Sequence, residues 1–165
     1  MQNIILNTNQ IEAIIQRIAY QIYETFVNEN EEVVIAGIAS GGYWLAENIA
    51  KEVQKISTLK VQLCEVKMNK KDVFATIETN LDAEIYTNKC LVLVDDVLNT
   101  GQTLIYAIQH FLQVPTKKFK TAVLVDRNHK KYPVKADFKG ISLSTSSHEK
   151  VWFDITPNGA IAYLD

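Results

Sequence analysis

From Ile11 onward, apolar residues recur at Ile14, Ile15, Ile18, Ala19, Ile22 and Phe26, the i, i+3, i+4 rhythm that lays one apolar stripe along a helix. Asn9, with Glu12 three residues later, reads as a capping box at its start. The period then changes. Glu32 to Ile38 is an almost unbroken apolar run, as expected of a strand covered on both faces, and Leu45, Ala46, Ile49, Ala50 and Val53 return to helical spacing. Val61 to Val66, Leu91 to Asp95 and Ala122 to Val125 predict further strands, and Thr103 to Leu112 a helix. Strands separated by helices imply an α/β fold, a doubly wound, mostly parallel sheet with helices on both faces. Near the end, Thr156-Pro157-Asn158-Gly159 separates Val151 to Ile155 from Ala160 to Leu164, and Asn-Gly supplies the positive φ angles of a tight hairpin. Lys67 to Lys89 alone is polar and without period; structureless stretches of that length tend to be lids or disordered.

Composition narrows the class. A chain of 165 residues has the length of one domain, residues 1–165, with about two thirds of its unfolded surface buried. Its 47% hydrophobic and 22% charged residues fit a soluble globular protein and exclude a disordered or fibrous one. No apolar run is long enough to cross a bilayer, and the N-terminus lacks a basic region followed by an apolar one. A cytoplasmic protein is expected. Cys64 and Cys90 have no metal-type spacing and read as buried thiols in a reducing compartment. The formal net charge of −2 hides a basic window from Thr116 to Lys139, where six more lysines and Arg127 join Lys117 against Asp126 and Asp137. Such a window serves phosphates or RNA, or is simply a solvated face.

The chemistry concentrates in Leu91 to Leu104, LVLVDDVLNTGQTL. Acids at a strand end are often just solvated, but here two adjacent aspartates precede a Gly turn flanked by threonines. In open α/β sheets ligands bind outside the carboxyl ends of the strands. Backbone N–H groups of that turn and of the following helix would form an anion site, with the Thr100 and Thr103 hydroxyls as added donors. Asp95 and Asp96 are acceptors beside it, so a ribose 5-phosphate satisfies both halves and a divalent cation can share its hydroxyls. The Gly-rich consensus of P-loop enzymes is absent, as is GxGxxG. A second glycine-bearing strand end, Gly37-Ile38-Ala39-Ser40-Gly41-Gly42, is either a close-packing turn or a place for a second phosphate.

Val92 to Leu104 resembles the phosphoribosyl pyrophosphate (PRPP) binding motif of type I phosphoribosyltransferases: an apolar strand, two acids, two apolar residues and T-G-x-T. Downstream, Ala122 to Gly140 is similar to the matching segment of the bifunctional pyrimidine operon attenuator and uracil phosphoribosyltransferase family. The resemblance implies transfer of the phosphoribosyl group from PRPP to a nucleobase with Mg2+, in a homo-oligomer. By position it implies that Asp95 and Asp96 hold the ribose hydroxyls and the metal, Asn99, Thr100, Gly101, Gln102 and Thr103 the 5-phosphate, and Ala39, Ser40 and Gly41 the pyrophosphate. Lys67 to Lys89 would be the lid, with Lys70 and Lys71 as its catalytic cations. Asp137 to Leu143, with Phe138 over the base, would form the hood beside Asp126, Arg127 and His129; His129 would touch substrate or RNA, or be a plain surface histidine.

Departures from the family sharpen the reading. Ser40-Gly41 replaces the usual threonine and arginine, and lid lysines replace arginine, keeping charge but losing the bidentate fork. At Asn99 the 6-oxopurine transferases carry an aspartate as general base, a role an amide cannot fill. Uracil is therefore the expected base. Two other classes stand beside this one: an RNA-binding attenuation regulator sensing pyrimidine nucleotides, weakened by a chain with only Arg17 and Arg127 as arginines, and a PRPP-binding module with another acceptor.

Overall fold

The computed structural model describes residues 2–28 and 32–165. Its main sheet has the order β4-β3-β2-β5-β6-β7, built from β2 (Val33–Ile38), β3 (Val61–Lys67), β4 (Glu78–Thr79), β5 (Cys90–Leu98), β6 (Lys118–Asp126) and β7 (Phe138–Ser142). All neighbours pair in parallel except the short β4, which runs antiparallel to β3. The apolar runs divide by alternation. Val33, Ile35, Val92, Val94, Ala122 and Leu124 join one core with helices α1 (Thr8–Phe26) and α2 (Gly41–Ile56). Val34, Ala36, Leu91, Leu93 and Val123 join the other, beneath α3 (Ala83–Tyr86) and α4 (Gln102–Phe111). Each face needs its own apolar cover, which is why these strands show no polar alternation.

Sheet order fixes where a ligand can sit. The connection from β2 through α2 leads outward to β3, whereas that from β5 through α4 leads the opposite way to β6. The carboxyl ends of β2 and β5 therefore diverge at a topological switch point, where a crevice opens.

A second, antiparallel sheet of order β1-β9-β8 comprises β1 (Asn3–Leu6), β8 (Val151–Thr156) and β9 (Gly159–Leu164). It closes on the α1 side through the fully buried Ala160 and Ala162, and Thr8 Oγ1 donates to the Ala160 carbonyl at 3.0 Å. The hairpin between β8 and β9 forms where expected, but Pro157 and Asn158 make its turn and the positive φ falls on Gly159 (134°) rather than on Asn158.

Four other expectations change. The capping box is Asn7 with Gln10, both bonds 2.9 Å, two residues before Asn9 and Glu12, because pairing of Leu6 with Ala162 fixes where the chain enters the helix. β5 does not end at Asp95; its ladder with β6 continues to Leu98. Asp137 to Leu143 is no hood but contributes β7, the edge strand of the main sheet, and Phe138 is buried in the core opposite Ala122. The element that stands apart from the main sheet is the second sheet. Within Lys67 to Lys89, β4 and α3 replace an unbroken loop, anchored where Asn80 Oδ1 accepts from the Glu65 N–H at 2.8 Å. Among the described residues no helix is long and apolar enough to cross a membrane.

Phe26, fully buried at the end of α1 with the Lys118 ammonium 5.6 Å from its ring centroid, joins that helix to the sheet. Phe26→Ala is expected to cost about 3–5 kcal/mol, seen as a lower urea midpoint at unchanged denaturant slope.

Candidate functional site

At the switch point, β2 pairs with β5 only as far as Gly37 opposite Val94, so the next two residues of β5, Asp95 and Asp96, lose one strand neighbour. The entry turn of α2 fills the opening. Gly42 lies so close that a Cβ there would stand 2.8 Å from the Val94 carbonyl oxygen and 2.9 Å from Asp95 Cα, and a Cβ on Gly41 would collide with the Asp96 carboxylate. Gly41 and Gly42 thus come directly against the acidic pair, while Ala39, whose N–H donates to the Val66 carbonyl at 2.9 Å, and the exposed Ser40 precede them. The Ala39–Ser40 peptide is cis, and no side chain caps α2, leaving its first N–H groups to the crevice.

Asp95 is almost completely buried. Burial first, then the neighbouring Asp96, push its carboxyl up to about 8, against the opposing pull of Lys70. Lys70, from the segment after β3, places Nζ 3.2 Å from Asp95 Oδ1 and 3.8 Å from Asp96 Oδ1. Burial pulls the Lys70 ammonium down, but the two carboxylates outweigh it and its pKa rises. Backbone N–H groups of Asp96 and Val97 also donate to these carboxylates, at 2.9 and 2.7 Å.

Two adjoining cavities share Asp95, Lys70 and Asn99. The first, about 290 Å3, is lined by residues 97–104 with Lys70, Asp95 and Val123. There Gly101 is the N-cap of α4 at φ +87°, a left-handed conformation suited to glycine, and no side chain caps the helix. Thr100 Oγ1 accepts from the Gln102 N–H at 3.2 Å, and the Thr100 carbonyl accepts from the Lys131 and Tyr132 N–H groups at 2.8 and 3.2 Å. A tight turn with helical N–H groups free of a side-chain cap and two hydroxyls has the donor chemistry to hold an anion. The second cavity, about 570 Å3, adds Asp96, Arg127, His129, Lys131, Trp152 and Phe153.

Residues 1–155 match the family described as the phosphoribosyl transferase domain. The chain belongs to the phosphoribosyltransferases. It is 32% identical over 145 residues to the Bifunctional protein PyrR of Streptococcus agalactiae (86% of this chain, 83% of that one) and 36% identical over 141 residues to that of Streptococcus mutans (83% and 79%). Among solved structures, the hypoxanthine phosphoribosyltransferase of Trypanosoma cruzi superimposes with TM-score 0.79 at 14% identity, covering 97% of this chain and 95% of that one. A hypoxanthine-guanine phosphoribosyltransferase from Bacillus anthracis gives 0.77 at 18%, covering 99% and 96%. These structures share the fold.

Not every expected residue reaches the phosphoribosyltransferase site. Lys71 is exposed, its N–H held by Asn69 Oδ1, while Lys70 beside it touches the acids. Phe138 lies in the core. Asp126 is buried and ion-paired to Lys130 and Lys139 at 3.6 and 3.7 Å. Arg127 lines the larger cavity, and His129 Nε2 lies 2.6 Å from the Thr145 carbonyl. Sequence reasoning missed Trp152 and Phe153, whose strand was visible but not its position; Phe153 packs on Trp44 with ring centroids 5.7 Å apart.

The raised Asp95 carboxyl has a consequence for stability. Its pKa is higher in the folded than in the unfolded chain, so its contribution is fully present below about pH 4 and is lost as pH rises through about 8. Asp95→Asn removes that titration, and half-exposed Lys70 loses little by returning to water. The variant should gain thermal midpoint on the wild type between pH 5 and pH 8.5; a constant difference across that range would refute the shift.

Proposed function

We propose that this phosphoribosyltransferase moves the 5-phosphoribosyl group of PRPP onto a ring nitrogen of a pyrimidine, uracil, releasing pyrophosphate. The observation that carries the reading is the adjacency of the Asp95–Asp96 carboxylates to the turn at residues 99–103, across two adjoining cavities that share Asp95, Asn99, Thr100 and Thr103. Acceptors for two ribose hydroxyls and donors for a phosphate lie where one ribose 5-phosphate spans both.

The remaining groups fit the departing end. As the C1′–O bond breaks, C1′ gains positive character and negative charge collects on pyrophosphate, so stabilisation is electrostatic. The start of α2, with Gly41 against the Asp96 carboxylate, would offer its backbone N–H groups to that charge, and Lys70 is the cation at hand. Closure would move the Lys70 ammonium from the acids to the leaving group and exclude water. The base nitrogen bonds to C1′ with its lone pair, and its proton leaves to solvent.

Mg2+ suits this donor set. Among the described residues no cluster of three or more His, Cys, Asp or Glu side chains is placed to hold a metal, whereas two adjacent carboxylates match a cation that draws its other ligands from substrate oxygens and water. Asp95 and Asp96 would hold it, and it would supply positive charge for the developing pyrophosphate.

Uracil is favoured because Asn99 is an amide in a cavity closed by Trp152, Phe153 and Arg127, with no carboxylate at that position to act as base to a purine. Attenuation through RNA is the weaker reading for this chain. Lys130 and Lys139 are committed to Asp126, Lys135 to Asp137, and Lys118 to the Thr25 carbonyl, so the basic window is largely spent on internal partners.

Asp95→Asn with Asp96→Asn should fold yet lose PRPP-dependent turnover of uracil by about 100-fold or more, with hypoxanthine and guanine poor substrates of the wild type. A folded double variant with wild-type turnover ends this reading. Limited proteolysis gives a second check. Lys70, Lys71 and Phe74 lie on the exposed segment between β3 and β4, so cleavage there should slow when PRPP and Mg2+ are added together. Equal rates with saturating ligand would remove the lid from the mechanism.

A further inference from the structure

Arg127 is only 5% exposed, and every oxygen that its guanidinium hydrogen-bonds is neutral. Nε donates to Thr145 Oγ1 at 3.0 Å, Nη2 to the carbonyls of Ser146 and Glu149, and Nη1 to Asn99 Oδ1 at 3.0 Å. The Glu149 carboxylate turns instead to the Ser146 N–H at 2.7 Å. Among the described residues, then, no carboxylate forms an ion pair with this buried cation.

A guanidinium offers donors only. The Asn99 atom facing Nη1 must therefore be the amide oxygen, whatever rotamer the amide would otherwise adopt. Its NH2 is left on the opposite side, and Asn99 is an exposed residue that lines both cavities. From this geometry we infer that Arg127 is a positioning residue that locks the Asn99 amide with its NH2 toward the base, so that the site recognises a carbonyl oxygen or unprotonated ring nitrogen and rejects an N–H at that point.

The inference rests on the transferase reading and adds what the base must present. Hydrogen bonding to a cation polarises the amide and strengthens its outward N–H donors. A 2-oxopyrimidine that gives up its ring proton spreads negative charge onto the adjacent carbonyl oxygen, which is where a strengthened donor is most useful. A base offering an N–H there would set two donors face to face, and both would lose their acceptors once the bound base shields the exposed Asn99 amide from water.

Arg127 also ties residues 145–149 to the end of β6, so a purely structural role has to be separated. A double-mutant cycle does so: kcat and KM for uracil and for PRPP are measured in the wild type, Arg127→Leu, Asn99→Ala and the double variant. Arg127→Leu should lower kcat/KM for uracil about 10- to 100-fold and leave the PRPP KM within about threefold; in the Asn99→Ala background the same change should have almost no further effect. Arg127→Lys, which keeps the charge but loses the planar fork of donors, replaces the leucine variant if that does not fold and should show the same dependence on Asn99. Asn99→Asp keeps the arginine contact but turns an acceptor outward, and should lose uracil turnover to a similar degree at an undiminished thermal midpoint. Equal penalties of the Arg127 change with and without Asn99, or full uracil turnover by Asn99→Asp, would overturn the inference alone. A wild type that uses hypoxanthine or guanine instead of uracil would overturn the proposed function itself.

Discussion

At the carboxyl edge of the main sheet β5 outruns β2. Pairing with β2 stops at Val94, while pairing with β6 continues to Leu98. Asp95 and Asp96 are therefore held rigidly by one neighbour and exposed to a crevice by the missing other. The same mismatch draws the glycines at the start of α2 against them, because only a chain without Cβ atoms approaches that closely. A carboxylate fixed in so dry a place resists ionisation, and the nearby Lys70 offsets that resistance only in part. The exposure of the acids and the close approach of the start of α2 to them are thus consequences of one difference in strand length.

Such a site draws on stability supplied elsewhere. Two like charges side by side, one of them buried, are a local cost, while both faces of the sheet bury continuous apolar surface under α1 and α2 on one side and α3 and α4 on the other. The second sheet adds its own contribution by resting small residues, Ala160 and Ala162, on that core. Close seating of the sheet brings Phe153 onto Trp44 and places Trp152 at the larger cavity. Packing at a distance from the acids therefore decides the shape of the space above them.

What the sequence revealed and what it hid divide along the same physical line. Buried strands were legible because covering both faces demands unbroken apolar runs, and α1 because its stripe keeps the helical period. The acids and the glycine turn beside them were legible because Asp95 to Thr103 are contiguous, and the structure keeps them together at one crevice. Lys70 could not be told from Lys71, since only the turn held by Asn69 decides which ammonium swings toward Asp95. Phe138 was misplaced because the segment after Asp126 shows no helix, yet the chain still crosses over to pair in parallel with β6. Trp152, Phe153 and the partners of Arg127 were invisible for a related reason: the sheet that brings them in depends on β1 pairing with β9 across almost the whole chain.

The basic window illustrates how composition misleads when burial is unknown. Asp126 is 1% exposed, and its carboxylate lies within 4 Å of both Lys130 and Lys139 and accepts the Asn128 N–H at 2.9 Å. A buried carboxylate stripped of such partners is strongly destabilising, so these lysines are fixed by an internal need. That need sits next to Arg127. The strand end that Asp126 anchors is the one from which Arg127 reaches Asn99, and the Arg127 N–H donates to the Leu98 carbonyl at 3.0 Å. Cations that look available to a polyanion instead hold the strand end from which Arg127 reaches Asn99 Oδ1, so much of the charge excess in this window serves an internal frame before it serves any surface.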